Sequence, residues 1–280
     1  MNQAKIPDAP NTIQKGVPLK LLLDTKAISS LADNISLVYK DFDKMSFIDH
    51  ASAGLDPLSL LERGKKLAHS LKKYLPSNYS QAMDIILESL TPPLQTTENN
   101  GLAVFFYLPH VCFVAEFGLD REYNHGHDPF ELSMKAQYEL TKRFSSEFSM
   151  RPFLIKEQDR TLVRINEWIS DPDPHVRRLC SEGTRPRLPW AVRIPSFISD
   201  PKAILPILEA LKNDESLYVR RSVANSLGDI AKDHLDLVLD ICDDWLKNAS
   251  AELKWVVRHA LRHPAKKGHV PSLQLRDSAK

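Results

Sequence analysis

Three related strings recur in the carboxy-terminal half of the chain: HVRRLCSEG from His175, YVRRSVANSLGD from Tyr218 and VVRHALRH from Val256. With Val176, Val219 and Val257 as equivalent positions, the spacings are 43 and 38 residues. A turn-forming stretch precedes each string: DPDP at 171–174, KNDES at 212–216 and KNAS at 247–250. A unit of about 40 residues built from a turn and an amphipathic helix cannot bury its apolar face alone, so neighbouring units must stack. That constraint outranks the length prior of roughly one domain per 150 residues, because a stack of repeats grows as one body.

Periods near 40 residues fit HEAT-like helix pairs, and the chain holds only 9 glycines, so an all-α, HEAT-like helical-repeat solenoid is expected. Its second helices line a concave surface, and the repeated position there is arginine: Arg177 and Arg178, Arg220 and Arg221, then Arg258. One arginine of each pair suits a structural role, paired with an aspartate of a preceding turn or helix. The other is available for phosphate.

The formal net charge of +1 gives no reason by itself to expect a polyanionic partner. Its distribution does. Residues 1–150 carry 15 Lys+Arg against 18 Asp+Glu, whereas residues 151–280 carry 22 against 18. The excess gathers at Arg177, Arg178, Arg185, Arg187 and Arg193, then Arg220 and Arg221, then Arg258, Arg262, Lys266 and Lys267. A basic stripe on a near-neutral protein suits a phosphate-binding groove, although a solvated charged face reads the same way. Five phosphate contacts, from Arg178, Arg220, Arg221, Arg258 and one of Lys266 or Lys267, would give a salt slope of about −4.5.

Cys112, Cys180 and Cys242 lie dozens of residues apart, which excludes zinc-module and iron–sulfur spacing and reads as reduced structural thiols. There is no GxxxxGK[ST] and no GxGxxG. No cofactor or metal is expected. No apolar run approaches the roughly 20 residues of a membrane helix, and MNQAKIPDAPNT lacks an apolar signal region. A cytoplasmic protein is expected, with no membrane partner.

Before residue 150 the signals are helical. LSLLERGKKLAHSLKKYLP places Leu58, Leu61, Leu67 and Leu71 near one helix face, and NYSQAMDIILESL follows with Ser80 as its candidate N-cap. PLQTTENNGL at 93–102 and DREYNHGHDPF at 120–130 read as loops, with a helix from about Glu131 to Phe148. The expected organisation is a helical region over 1–129, repeats carrying the active site over 130–270 and a tail over 271–280.

FSSEFSMRPFL at 144–154, HVRRLCSEGTRPRLPW at 175–190, YVRRSVANSLGDIAKDH at 218–234 and VVRHALRHPAKKG at 256–268 together resemble the AlkC-type alkylpurine DNA glycosylases, relatives of the AlkD family. Weaker similarity, as in KLLLDTKAISSLADNI near residue 20, extends the match over almost the whole chain. The family usually has Asn-Leu-Asn-Asp where this chain has Ser226, Leu227, Gly228 and Asp229, and Thr-Leu where it has His263 and Pro264. Some members carry an immunoglobulin-like domain after the repeats; with its last residue at Lys280 the chain resembles the shorter form.

The resemblance implies active-site acids at Glu147, Glu182 and Asp229, with Trp190 and Arg178 at DNA-facing positions. It implies a monofunctional glycosylase that removes cationic alkylated bases such as 3-methyladenine from duplex DNA, gripping the duplex without flipping the base, and acting as a monomer near the nucleoid. A cationic base leaves neutral, so the chemistry needs carboxylates against an oxocarbenium-like sugar and no general acid. Each residue also has a plainer reading: Glu147 as helix partner of Arg151, Glu182 beside a Gly183 C-cap, Asp229 paired with Lys232, and Trp190 in the core. A non-catalytic nucleic-acid binder and a protein-interaction scaffold remain as alternatives; three acids facing a basic surface would be a penalty for a pure binder.

Overall fold

The computed structural model describes residues 3–280, among which there are helices and no strand. Contacts gather into two compact units, one ending at Ser149 and one running from Met150 to Lys280.

The first unit holds α1 (Thr25–Val38), α2 (Lys44–Ser52), α3 (Leu60–Tyr74), α4 (Tyr79–Glu88), α5 (Leu108–Phe117), α6 (Phe130–Thr141) and the start of α7 (Glu147–Lys156). α3 begins at a capping box, in which Ser59 Oγ accepts from Glu62 N–H and Glu62 accepts from Ser59 N–H. Its buried face is Leu60, Gly64, Leu67, Ala68 and Leu71, so the expected stripe shifts: Leu58 precedes the helix and Leu61 is half-buried. Gly64 serves close packing, because a Cβ there would lie 2.9 Å from Leu108 Cγ on α5. The cap of α4 is Asn78 and not Ser80; the Asn78 side chain accepts from Gln81 N–H.

The helix expected over 131–148 is two helices. α6 stops at Thr141, where Lys142 C=O accepts from Leu94 N–H over 2.9 Å and the Arg143 guanidinium donates to Thr91 C=O over 2.5 Å. Ser146 Oγ then donates to Gln137 C=O over 2.8 Å, and α7 restarts at Glu147. Long-range polar bonds of this kind leave no periodic trace in the sequence.

In the second unit follow α8 (Gln158–Trp168), α9 (Pro174–Gly183), α10 (Pro195–Ser199), α11 (Leu205–Leu211), α12 (Leu217–Ile230), α13 (Leu235–Leu246), α14 (Ala251–Ala260), α15 (Arg262–Lys266) and α16 (Val270–Ser278). α9, α12 and α14 pack side by side, and α8, α11 and α13 pair with them in turn. These are three HEAT-like pairs, and the repeated valines Val176, Val219 and Val257 are fully buried between them.

The first arginine of the first two repeats proves structural. Arg177 Nη1 donates to Asp171 and Pro172 C=O at 2.9 and 3.0 Å, and Arg220 Nη1 donates to Asp214 and Glu215 C=O at 2.6 and 2.9 Å. Arg177 also grips Asp214 of the next turn bidentately, at 2.6 and 3.0 Å, which fixes the spacing between successive repeats. Gly183 ends α9 in ordinary helical backbone and not as a left-handed cap. A Cβ there would meet Met150 Cγ at 3.2 Å, so the glycine admits α7.

Candidate active site

Glu182 and Asp229 each sit one residue before the end of the second helix of a HEAT-like pair, α9 and α12 respectively. A carboxylate there opposes the helix dipole, and both are buried, at 5% and 3% exposure. Arginine offsets this. Arg185, itself 8% exposed in the turn after α9, donates from Nη1 to Glu182 Oε1 over 2.6 Å and from Nε to Asp229 Oδ2 over 2.8 Å.

Each acid has further partners. Arg178 Nη2 lies 3.3 Å from Glu182 Oε1, and its guanidinium stands over the Tyr218 ring at 5.0 Å. Ser222 Oγ donates to Glu182 Oε2 over 2.7 Å and accepts from Ser181 Oγ over 2.7 Å. Lys232 Nζ donates to Asp229 Oδ1 over 2.7 Å. Burial alone would raise the pKa of Glu182; the charges of Arg178 and Arg185 and the bonds from Ser222 and Arg185 outweigh it, and the net shift is downward. Glu182 is therefore held as an ionised carboxylate although it is buried.

α14 and α15 add a second polar group. Asn225 Oδ1 on α12 accepts from Arg262 Nη2 over 3.0 Å and lies 3.1 Å from His259 Nε2. Trp255 stacks on His259 with centroids 4.9 Å apart and an interplanar angle of 15°. Burial together with Arg262, Arg221 and His263 pushes His259 down to about 4. His263 is lowered too, by partial burial and then by Arg262, Lys232 and Lys266, which outweigh Asp229. Gly228 lets Ala260 C=O approach α12, since a Cβ would lie 3.3 Å from that oxygen.

Of the residues expected from the sequence, Glu182, Asp229, Arg178 and Arg185 come together. Arg185 is buried as a bridge between acids and does not stand out as a surface cation. Glu147 belongs to the first unit, half-buried at the start of α7, where it accepts from Ser145 Oγ over 2.6 Å. Trp190 is not core: it is 66% exposed with φ 63°. Arg187 is held bidentately by Asp233 at 2.7 and 2.8 Å. Arg220 donates to its own turn, and Arg258 Nη1 donates to Ala279 C=O. The exposed side chains of Arg221, Lys266 and Lys267 make no hydrogen bond or ion pair among the described residues. Sequence reasoning missed Ser222 and Asn225; both lie with Asp229 on one face of α12, at steps of three and four, and that period could have revealed them.

Cys112, Cys180 and Cys242 are free and buried, and burial raises each thiol, to about 12 for Cys112 and Cys242. Among the described residues, no helix is long and apolar enough to cross a membrane, and no cluster of His, Cys, Asp or Glu is placed to hold a metal ion.

The second unit is thus a stack of HEAT-like pairs that carries an arginine-bridged pair of carboxylates near the ends of α9 and α12. The HEAT repeat model matches residues 204–234, which span α11 and α12. The chain is 38% identical over 258 residues to the uncharacterized protein YhaZ of Bacillus subtilis (strain 168), covering 92% of this chain and 67% of that one. It is 37% identical to the Pseudomonas fluorescens alkylpurine DNA glycosylase AlkC, solved bound to DNA containing an abasic site analog, with a TM-score of 0.82 and the same coverage of 92% and 67%. AlkD2 from Streptococcus mutans matches at 22% identity and a TM-score of 0.44, over 85% of this chain and 97% of that one. The chain belongs to the AlkC-type alkylpurine DNA glycosylase family, and it spans about two thirds of the length of the two nearer-matching relatives.

Proposed function

We propose that the protein hydrolyses the N-glycosidic bond of cationic alkylated bases, 3-methyladenine among them, in duplex DNA. The observation that carries this reading is the pair of buried carboxylates, Glu182 and Asp229, joined by Arg185. An ionised carboxylate about 4 Å from an oxocarbenium-like sugar contributes at most ~4 kcal/mol at an effective dielectric near 20, or roughly a thousandfold in rate. A cationic base needs no proton to leave. Glu182 is held ionised and cannot supply one.

Glu182 and Asp229 stabilise the sugar cation and orient water, with Glu147 as the third acid. Arg178 and Trp190 face the duplex, and Arg221, Lys266 and Lys267 take phosphates. The enzyme works as a monomer on DNA in the cytoplasm, without a cofactor, and reaches the sugar without extruding the base into a pocket. The test is to incubate methylated duplex DNA with the protein and identify released bases by chromatography. Release of 3-methyladenine is expected; duplex binding with no released base would leave a non-catalytic nucleic-acid binder.

A further inference from the structure

Arg151, in the part of α7 that belongs to the second unit, is the largest fully buried side chain among the described residues. Its guanidinium donates from Nε to Val192 C=O over 2.6 Å, from Nη1 to Arg185 C=O over 2.5 Å and Gly183 C=O over 3.3 Å, and from Nη2 to Pro186 C=O over 3.3 Å. One side chain thus holds both the entry and the exit of the loop between α9 and α10. Ile194 N–H closes the base of the loop on Pro186 C=O over 3.1 Å, and Arg187 ties its outer side to Asp233. The planar fork of donors suits this task, because an ammonium group cannot reach four carbonyls in one plane.

At the tip of the loop stands Trp190, 66% exposed and with φ 63°. Both facts run against local preference. Left-handed backbone is a glycine or asparagine position and is strained for a bulky side chain, and an indole in water forgoes its burial. Such a residue persists where the surroundings over-determine its backbone, and strain of this kind collects at ligand contacts. Arg185, whose carbonyl Arg151 also holds, bridges Glu182 and Asp229. The loop therefore presents the indole from the same segment that sets the carboxylates.

We infer that Arg151 is a positioning residue, which staples the 183–192 loop so that Trp190 projects as a rigid aromatic contact for a nucleotide of duplex DNA beside Glu182 and Asp229. The identity of the partner rests on the function proposed above. The geometry of the staple does not.

The test is a double-substitution cycle read by the affinity for a duplex carrying a tetrahydrofuran abasic site. Trp190→Ala weakens binding about tenfold, the scale of one lost aromatic contact to nucleic acid. Arg151→Lys alone weakens it comparably, and in the Trp190→Ala background it adds less than about twofold. Losses that multiply would make Arg151 a fold-wide structural residue and overturn the inference, as would Trp190→Ala binding like wild type. Should Arg151→Lys not fold, fluorine NMR of the 5-fluorotryptophan protein decides, with Trp190 assigned by Trp190→Phe. One narrow Trp190 resonance that moves on adding the duplex is expected, and a resonance that ignores the duplex overturns the inference. Base release separates the two claims: a coupled cycle with no released base rejects the glycosylase reading alone, and released base with an uncoupled cycle rejects this inference alone.

Discussion

Arg185 reaches from the turn after α9 to Asp229 near the end of α12, with Nε 2.8 Å from Oδ2, and so ties together segments 44 residues apart. Glu182 takes its Nη1 at the same time. Removing one member of a buried ion cluster leaves the others uncompensated, at a cost of about 3–5 kcal/mol. Arg185→Ala should therefore lower thermal stability sharply, and Arg185→Lys should recover little, because an ammonium cannot serve both carboxylates as the fork does. A surface residue used for phosphate alone would change DNA affinity and leave melting untouched, so calorimetry distinguishes the roles.

Glu182→Gln and Asp229→Asn keep shape and remove charge. Each should cut single-turnover excision by about one to three orders of magnitude, within the ~4 kcal/mol available to a carboxylate near the sugar. Duplex affinity should persist or tighten, since Arg178 and Lys232 then face phosphate with less opposing charge. Glu147→Gln should also slow excision; a variant that melts earlier but excises normally would make Glu147 a helix-start residue only. Wild-type rates in both Glu182→Gln and Asp229→Asn would end the proposed mechanism.

The repeats were readable because stacking is written into periodic valines and recurrent turns: Val176, Val219 and Val257 are core, and 171–174, 212–216 and 247–250 are the turns between helices. The site was readable in part, through the phrases around Glu182 and Asp229. What the arginines do was not. V-R-R states that Arg220 follows Val219 in a helix, but whether its guanidinium meets a phosphate or its own turn depends on where Asp214 and Glu215 aim their carbonyls. Arg185 and Trp190 lie outside helices, so no period predicts their direction, and only the structure shows Trp190 to be exposed and in left-handed backbone. The break between α6 and α7 was hidden for a related reason, since it depends on Thr91 and Leu94, some fifty residues upstream of Arg143 and Lys142.

Acid titration should report Glu182. Its folded pKa lies below the usual 4.5, so its ionisation contributes stability that is fully present above that value and is lost as pH falls through the lower folded value. Wild type should lose melting temperature below about pH 4.5 more steeply than Glu182→Gln, with the two curves parallel from pH 5 to 8. Asp233 and Glu139, also lowered, titrate in both proteins and cancel in the comparison. Parallel curves down to pH 3 would show that the Arg178 and Arg185 pairing does not hold in solution.

Salt dependence should be weaker than the five-cation stripe implied. Arg220 and Arg258 donate to main-chain carbonyls and Arg178 pairs with Glu182, which leaves Arg221 and, with both exposed lysines now counted, Lys266 and Lys267. Three phosphate contacts give a slope of log K against log salt of about −2.7. A measured slope near −4.5 would mean that Arg220 and Arg258 exchange carbonyls for phosphates on binding. Arg221→Ala should reduce the slope by about one contact, whereas Arg177→Ala, which breaks the bidentate hold on Asp214, should act on stability instead.

Substrate range should follow the charge of the lesion. A neutral alkylated base leaves as an anion unless something protonates it, and the groups gathered at the site are poor acids near neutral pH. Glu182 is held below the usual carboxylate range, His259 lies at about 4 and so carries no proton to give at pH 7, and His263 is lowered too. The protein should thus release 3-methyladenine readily and neutral adducts such as ethenoadenine hardly at all. Single-turnover assays on the two lesions at neutral pH decide the matter. Efficient ethenoadenine release would require a general acid that this constellation lacks and would place the chemistry on other residues.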